Sequence, residues 1–269
     1  MTSLNLHPVP SSSSSSSSKP IPSPSLLKPW DFSYSPSSDG CDKNLLIMFH
    51  GLGDSKIPFF NLGKQLNLPS TAILSLSAPD PIPLMDHPSF SWYPTFTPTF
   101  DPLPIQNHNP TTHMAKLRNL ISILISKEVG WELKDIHLFG FGQGGTIALE
   151  LGLSIYNQPL GTGEDTPKRF GSITSICASI LTHPTSTLNI QTPICYFTRH
   201  SPQSAIHQKN LNVLKRAYKD VEVVQASGGN EQMPRNKDEW YGIMKFWGQV
   251  LGRKDEGWKG QGEVYEVVR

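Results

Sequence analysis

Six residues, Gly140-Phe141-Gly142-Gln143-Gly144-Gly145, join two apolar segments of different periodicity. Asp135-Ile136-His137-Leu138-Phe139 before them reads as a strand. Residues 146–156 after them read as a helix, and Ile147, Ala148, Leu149, Leu151, Leu153 and Ile155 leave it almost no polar face. A helix apolar nearly all round is expected at the centre of a domain. A buried strand that turns sharply into a buried helix through small residues therefore demands a sheet with helices packed upon it.

The rest of the chain supplies that sheet. Runs 45–49, 71–76, 170–181, 193–198 and 221–225 read as further strands, the first of them apolar throughout, as in a strand covered on both faces. Helical spacing is found over 60–66, 114–128, 203–218 and 237–251, with Thr111 or Thr112 and Gly130 as the ends of the second. Alternation of this kind predicts an α/β domain with a mostly parallel central sheet and helices on both faces. The expected organisation is a Ser/Pro-rich disordered tail over 1–38, a domain over 39–252 and a C-terminal tail over 253–269. The tail assignment rests on the serine run 11–18 and the Lys-Pro and Ser-Pro steps after it, which cannot bury enough apolar area to offset ordering. A β-like run at 263–268 has no evident place, and the Pro- and aromatic-rich stretch 81–110 is long for a loop in a compact domain.

Composition narrows the function. A net charge of +1 gives no reason to expect a nucleic-acid partner. The cysteines Cys41, Cys177 and Cys195 have no metal spacing, and His50, His87, His108, His113 and His183 are scattered, so neither a metal nor another cofactor is expected. No apolar run approaches the ~18 residues of a transmembrane helix, and the N-terminus lacks a charged and apolar leader, so the expectation is a cytoplasmic protein.

Two chemistries use a glycine-rich turn from strand to helix. Gly140, Gly142 and Gly145 fit the G-x-G-x-x-G of a dinucleotide site, but Cys177-Ala178-Ser179 ends the next strand where an acidic residue would be needed, and the turn comes at least two strands late. The spacing also fits the nucleophile elbow G-x-S-x-G, with Gly142 in place of the serine. Taken in order, His50-Gly51-Leu52-Gly53-Asp54-Ser55, Ala78-Pro79, Ser91-Trp92-Tyr93 and the Gly140 stretch resemble the phospholipase/carboxylesterase family, which includes the acyl-protein thioesterases, over residues 43–252. Those proteins read H-G-L-G-D, A-P, S-W-F-D and G-F-S-Q-G-G at similar spacing.

The resemblance implies an α/β-hydrolase fold, an oxyanion hole from the backbone N–H groups of Leu52 and Gln143, and a triad that this chain lacks. Gly142 stands for the nucleophile. The acid loop Thr198-Arg199-His200-Ser201-Pro202 contains no carboxylate, and Glu231 falls where the base is expected. Gly142, His200 and Glu231 are thus vestigial triad positions. The expected protein binds an acyl or ester ligand or a lipidated protein without hydrolysing it. Trp92, Tyr93 and Phe96 are the expected pocket wall, unless they serve only to pack the loop. Hydrolysis by a water activated by Glu231 and His200, or a purely non-enzymatic interaction role, are the alternatives.

Overall fold

The computed structural model of the chain describes residues 5–8, 18–161, 168–253 and 265–268. Its main sheet is built from β1 (Phe32–Ser35), β2 (Asn44–Phe49), β3 (Thr71–Leu76), β4 (Ile136–Phe141), β5 (Ser172–Ile176), β6 (Ile194–Thr198) and β7 (Val221–Gln225). Their order across the sheet is β7-β6-β5-β4-β2-β3-β1. All neighbours are parallel except β1, which runs antiparallel to β3. This is the expected α/β architecture.

The helices are α1 (Lys56–Leu66), α2 (Met114–Leu124), α3 (Gln143–Asn157), α4 (Ala205–Ala217) and α5 (Lys237–Val250). Alternation along β2 divides them between the two faces. Leu45, Ile47 and Phe49 enter a core with Leu117, Leu120 and Ile121 of α2, Ile147 and Leu151 of α3 and Leu214 of α4. Leu46 and Met48 enter a second core with Phe59 of α1 and Phe246 and Trp247 of α5. Both faces of β2 are covered, which is why every one of its residues is buried.

Strand order places the site. The chain steps from β2 outward to β3, then returns to lay β4 on the other flank of β2. The direction of winding reverses between β2 and β4, and in open α/β sheets that reversal leaves a crevice beyond the C-terminal strand ends. The turn at His50–Ser55 leaves β2 there, and the turn at Gly142 leaves β4 beside it.

The N-terminal expectation needs correction. Much of the segment assigned to a disordered tail is packed on the domain: Leu27 is fully enclosed, Trp30 is buried, and Phe32–Ser35 form the edge strand β1. Lys19 is tied in by its N–H to Asp42 Oδ2 at 2.9 Å and by its ammonium to Gly130 O at 2.6 Å. Leu27, Trp30, Phe32 and Tyr34 bring enough apolar surface to order a segment whose composition is otherwise polar. Serines 11–17 lie outside the described residues. The unplaced C-terminal run also finds a partner, since Tyr265–Val268 pair antiparallel with Asn5–Pro8. His113, not Thr111 or Thr112, stands at the N-cap position of α2, without a capping bond from its side chain. The long loop contains a small antiparallel pair, Asp80–Pro81 with Phe90–Ser91, and a helical turn at Ile105–Asn107. Among the described residues no helix is long and apolar enough to cross a membrane.

Candidate functional site

The turn out of β4 needs its glycines for two separate reasons. A Cβ on Gly140 would lie 2.2 Å from Gly144 O, one on Gly144 would lie 2.3 Å from Phe49 O, and one on Gly145 would lie 2.8 Å from Ser175 Oγ. These glycines let β4, α3 and the end of β2 approach closely. Gly142 is different: a Cβ there would meet nothing within 4 Å, but its backbone has φ 51 and ψ −120. That conformation costs a residue with a side chain about 1–3 kcal/mol and costs glycine little. The Gly142 N–H donates to Ile176 O at 3.1 Å, and its carbonyl accepts from Thr146 N–H at 3.1 Å. Gln143 then begins α3, so its N–H falls among those that find no partner inside the helix.

The motifs seen separately in the sequence are stitched together by hydrogen bonds. The Ala78 N–H donates to His50 Nε2 at 2.9 Å, so the ring proton sits on Nδ1, which donates to Gly51 O at 2.6 Å. Trp92 Nε1–H donates to His50 O at 2.9 Å. The Gln143 side-chain oxygen accepts from Trp92 N–H at 2.9 Å and from Ser91 Oγ at 3.3 Å, while its amide donates to Tyr93 O at 2.9 Å. One histidine and one glutamine thereby hold together the turn after β2, the loop after β3, the aromatic loop and the start of α3. Glycines on either side made the Gln143 backbone conspicuous in the sequence; nothing there revealed the work of its side chain.

Burial holds the His50 imidazole below its ordinary 6.5, against the opposing pull of the Gly51 hydrogen bond and the Asp54 charge. Burial also lowers His137 to about 4. Both rings are neutral in the folded chain. As pH falls below 6.5 the unfolded chain takes up these protons first, so their contribution to stability is complete above that pH and declines below it. Urea unfolding should therefore give a free energy that is level from about pH 7.5 to 6.5 and falls from there to about pH 4.5. A flat profile would contradict neutral, buried rings.

The aromatic residues expected to wall a pocket divide. Trp92 is fully enclosed, with its ring 5.3 Å from that of Phe49, 5.4 Å from His50 and 6.2 Å from Trp30. Tyr93 is buried as well, and Phe96 is 44% exposed. Trp92 packs the loop onto the domain because its N–H has a buried acceptor and its ring three aromatic neighbours. Leu52, in the first turn, is 39% exposed.

The loops after β6 and β7 do meet. His200 Nε2 lies 3.5 Å from Glu231 Oε1, with Glu231 largely in solvent. Next to this pair is an arrangement that the sequence did not suggest. Arg199 is almost wholly buried, and each of its donors is used: Nε to Gln232 O, Nη1 to Ser227 O and Glu239 Oε1, and Nη2 to Met233 O and Glu239 Oε2. One guanidinium fastens the whole loop that carries Glu231 to the first turn of α5. Cys177 is buried beside it, with Sγ 3.6 Å from Gln232 O, and burial pushes its thiol up and away from a reactive thiolate.

The family model described as Phospholipase/Carboxylesterase matches residues 36–228. The chain belongs to the phospholipase/carboxylesterase family. An uncharacterized hydrolase of Mycosarcoma maydis is 34% identical over 242 residues, covering 88% of this chain and 87% of the relative. Among solved structures, the esterase PE8 superposes with TM-score 0.62 at 17% identity, covering 82% of this chain and 99% of that one. Zea mays acyl-protein thioesterase 2 superposes with TM-score 0.60 at 18% identity, over the same shares of the two chains. These structures share the α/β-hydrolase fold. The family match closes at Gly228, so Glu231 and the α5 residue that Arg199 grips lie beyond it, as do Trp30 and Asp31 at the other end.

Proposed function

We propose that this chain is a member of the phospholipase/carboxylesterase family that binds an acyl ester or lipidated ligand without hydrolysing it. The observation that carries the reading is Gly142: the backbone keeps the sharp φ 51, ψ −120 of a strand-to-helix elbow, yet no oxygen projects from it. Acyl transfer on this fold needs a nucleophile, a base and an acid. The carboxylate and imidazole near the remaining positions, Glu231 and His200, are exchanged relative to that order. The N–H groups of Leu52 and Gln143 remain as donors for a carbonyl oxygen.

Two measurements on the purified protein test this. Titration with a long-chain fatty acid should raise the melting temperature, because a ligand bound only by the folded state adds stability by mass action. p-Nitrophenyl ester hydrolysis should not exceed the buffer rate. Gly142→Ser should fold, since a Cβ there meets nothing within 4 Å, at a loss of about 1–3 kcal/mol, and should still hydrolyse nothing. Turnover by that single variant would mean that the acid and base loops have been misassigned.

A second reading has one observation in its favour. The 3.5 Å contact between His200 and Glu231 leaves the carboxylate open to solvent, where it would activate a water as general base. Ester turnover by the unaltered protein that Glu231→Gln abolishes would establish this reading and remove the first.

A further inference from the structure

We infer that Trp30 and Asp31 are positioning residues for the turn that carries Leu52, forming a brace added to the site from outside the family-matched region. Only the purpose of the brace rests on the ligand-binding reading above; its mechanical action is read from the contacts.

The contacts close a circuit. From Asp31, the carbonyl accepts Ser77 N–H at 2.9 Å and the carboxylate Oδ2 accepts Ser77 Oγ–H at 3.1 Å. Ala78 follows in the chain, and its N–H fixes His50 Nε2 at 2.9 Å. The carbonyl of His50 holds Trp92 Nε1–H at 2.9 Å, and the Trp92 ring lies 6.2 Å from that of Trp30, next to Asp31. The other carboxylate oxygen, Oδ1, pairs with Lys56 Nζ at the first residue of α1, the helix into which the Leu52 turn runs. The Lys56 carbonyl is itself held by Ser75 Oγ at 2.8 Å. Asp31 therefore grips the chain where it leaves β3 and again where it leaves the turn after β2. His50, Gly51, Leu52 and Gly53 run from the ring that Ala78 fixes toward Lys56, and Gly53 N–H donates to Phe90 O at 3.0 Å.

Energy distinguishes this role from simple stabilisation. The Asp31 side chain is 65% exposed, so its pair with Lys56 adds little to folding. A group of small energetic weight that touches the residue after a turn and, through Ser77 and Ala78, bears on the histidine at its start acts on where the turn sits. Removing it should shift the turn while leaving the fold standing.

The test is nitrogen NMR on the intact chain. In the unaltered protein the His50 ring should give separate Nδ1–H and acceptor Nε2 signals, fixed by Ala78. In Asp31→Ala the Nε2 signal should move toward the averaged position of a ring exchanging between tautomers, and the Gly51, Leu52 and Gly53 amides should shift. Asp31→Asn, which keeps an acceptor for Ser77, should restore most of the His50 signature. Ser77→Ala, which removes a single hydroxyl, should give a smaller displacement in the same direction. If Asp31→Ala and Ser77→Ala lower the melting temperature yet leave the His50 ring and these amides at their original positions, the brace is packing alone and the inference fails. If the signature moves as expected while fatty acid gives no thermal shift, the brace stands and the ligand-binding reading falls.

Discussion

Gly144→Ala is expected to abolish the folded state or to destabilise it by more than about 3 kcal/mol, at the upper end of overpacking effects. The new methyl would sit 2.3 Å from Phe49 O and 2.5 Å from His50 O. Ordinary contacts of this kind are more than an ångström longer, and both obstacles are backbone atoms at the end of a fully buried strand. Neither can move without pulling on the ladders of β2 with β3 and β4. Gly142→Ala, two residues earlier, is the matched control. Its methyl meets nothing within 4 Å, so only the positive φ opposes it, at about 1–3 kcal/mol. Thermal unfolding followed by circular dichroism should separate the two variants widely. Equal melting temperatures would mean that β2 and α3 are not in the tight contact described.

Arg199→Ala should be strongly destabilising, at about 1.5–3 kcal/mol, the loss expected when a buried guanidinium is removed from charge-assisted hydrogen bonds to a half-buried carboxylate. The substitution strands the carbonyls of Ser227, Gln232 and Met233 as well as the Glu239 carboxylate. For a domain of this size that corresponds to a fall in melting temperature of up to about 10 °C. Glu239→Gln should approach the same loss. Lysine at 199 should rescue little, since an ammonium cannot reproduce the two-pronged contact. The effect should also depend on acid. The Arg199 hydrogen bond, joined by the Arg235 N–H, holds Glu239 below its ordinary 4.5. Stability from the pair is thus complete above that pH and lost as pH falls below it, and the gap between Arg199→Ala and the unaltered protein should narrow in acid. Glu132→Gln, in the exposed pair of Glu132 with Lys134, should leave the melting temperature where it is.

Periodicity and turn chemistry made strands β2 to β7, helices α1 to α5 and the glycine turn legible, because each buried element carries its burial pattern in its own residues. Three features stayed hidden for physical reasons. Residues 18–38 were judged by a composition dominated by serine and proline, although Phe32 and Tyr34 alternate with serines as an edge strand should. Arg199 spends three of its five hydrogen bonds on backbone carbonyls, and a carbonyl has no sequence identity. The side-chain role of Gln143 depends on a loop some fifty residues earlier in the chain folding back over it. His200 and Glu231 come near each other because their loops leave adjacent parallel strands and so emerge at the same end of the sheet, a neighbourhood set by strand order and not by either loop's own residues.

The glycine at 142 also determines how a protein like this comes to notice. Fluorophosphonate reagents reveal serine hydrolases by forming a bond to the elbow oxygen, and position 142 offers no oxygen to phosphonylate. If the proposed reading holds, a proteome sorted by such labelling would leave this chain among the unlabelled proteins however abundant it is. On that reading it would be found by methods that register occupancy, such as a shift in melting temperature or displacement of a reversible ligand.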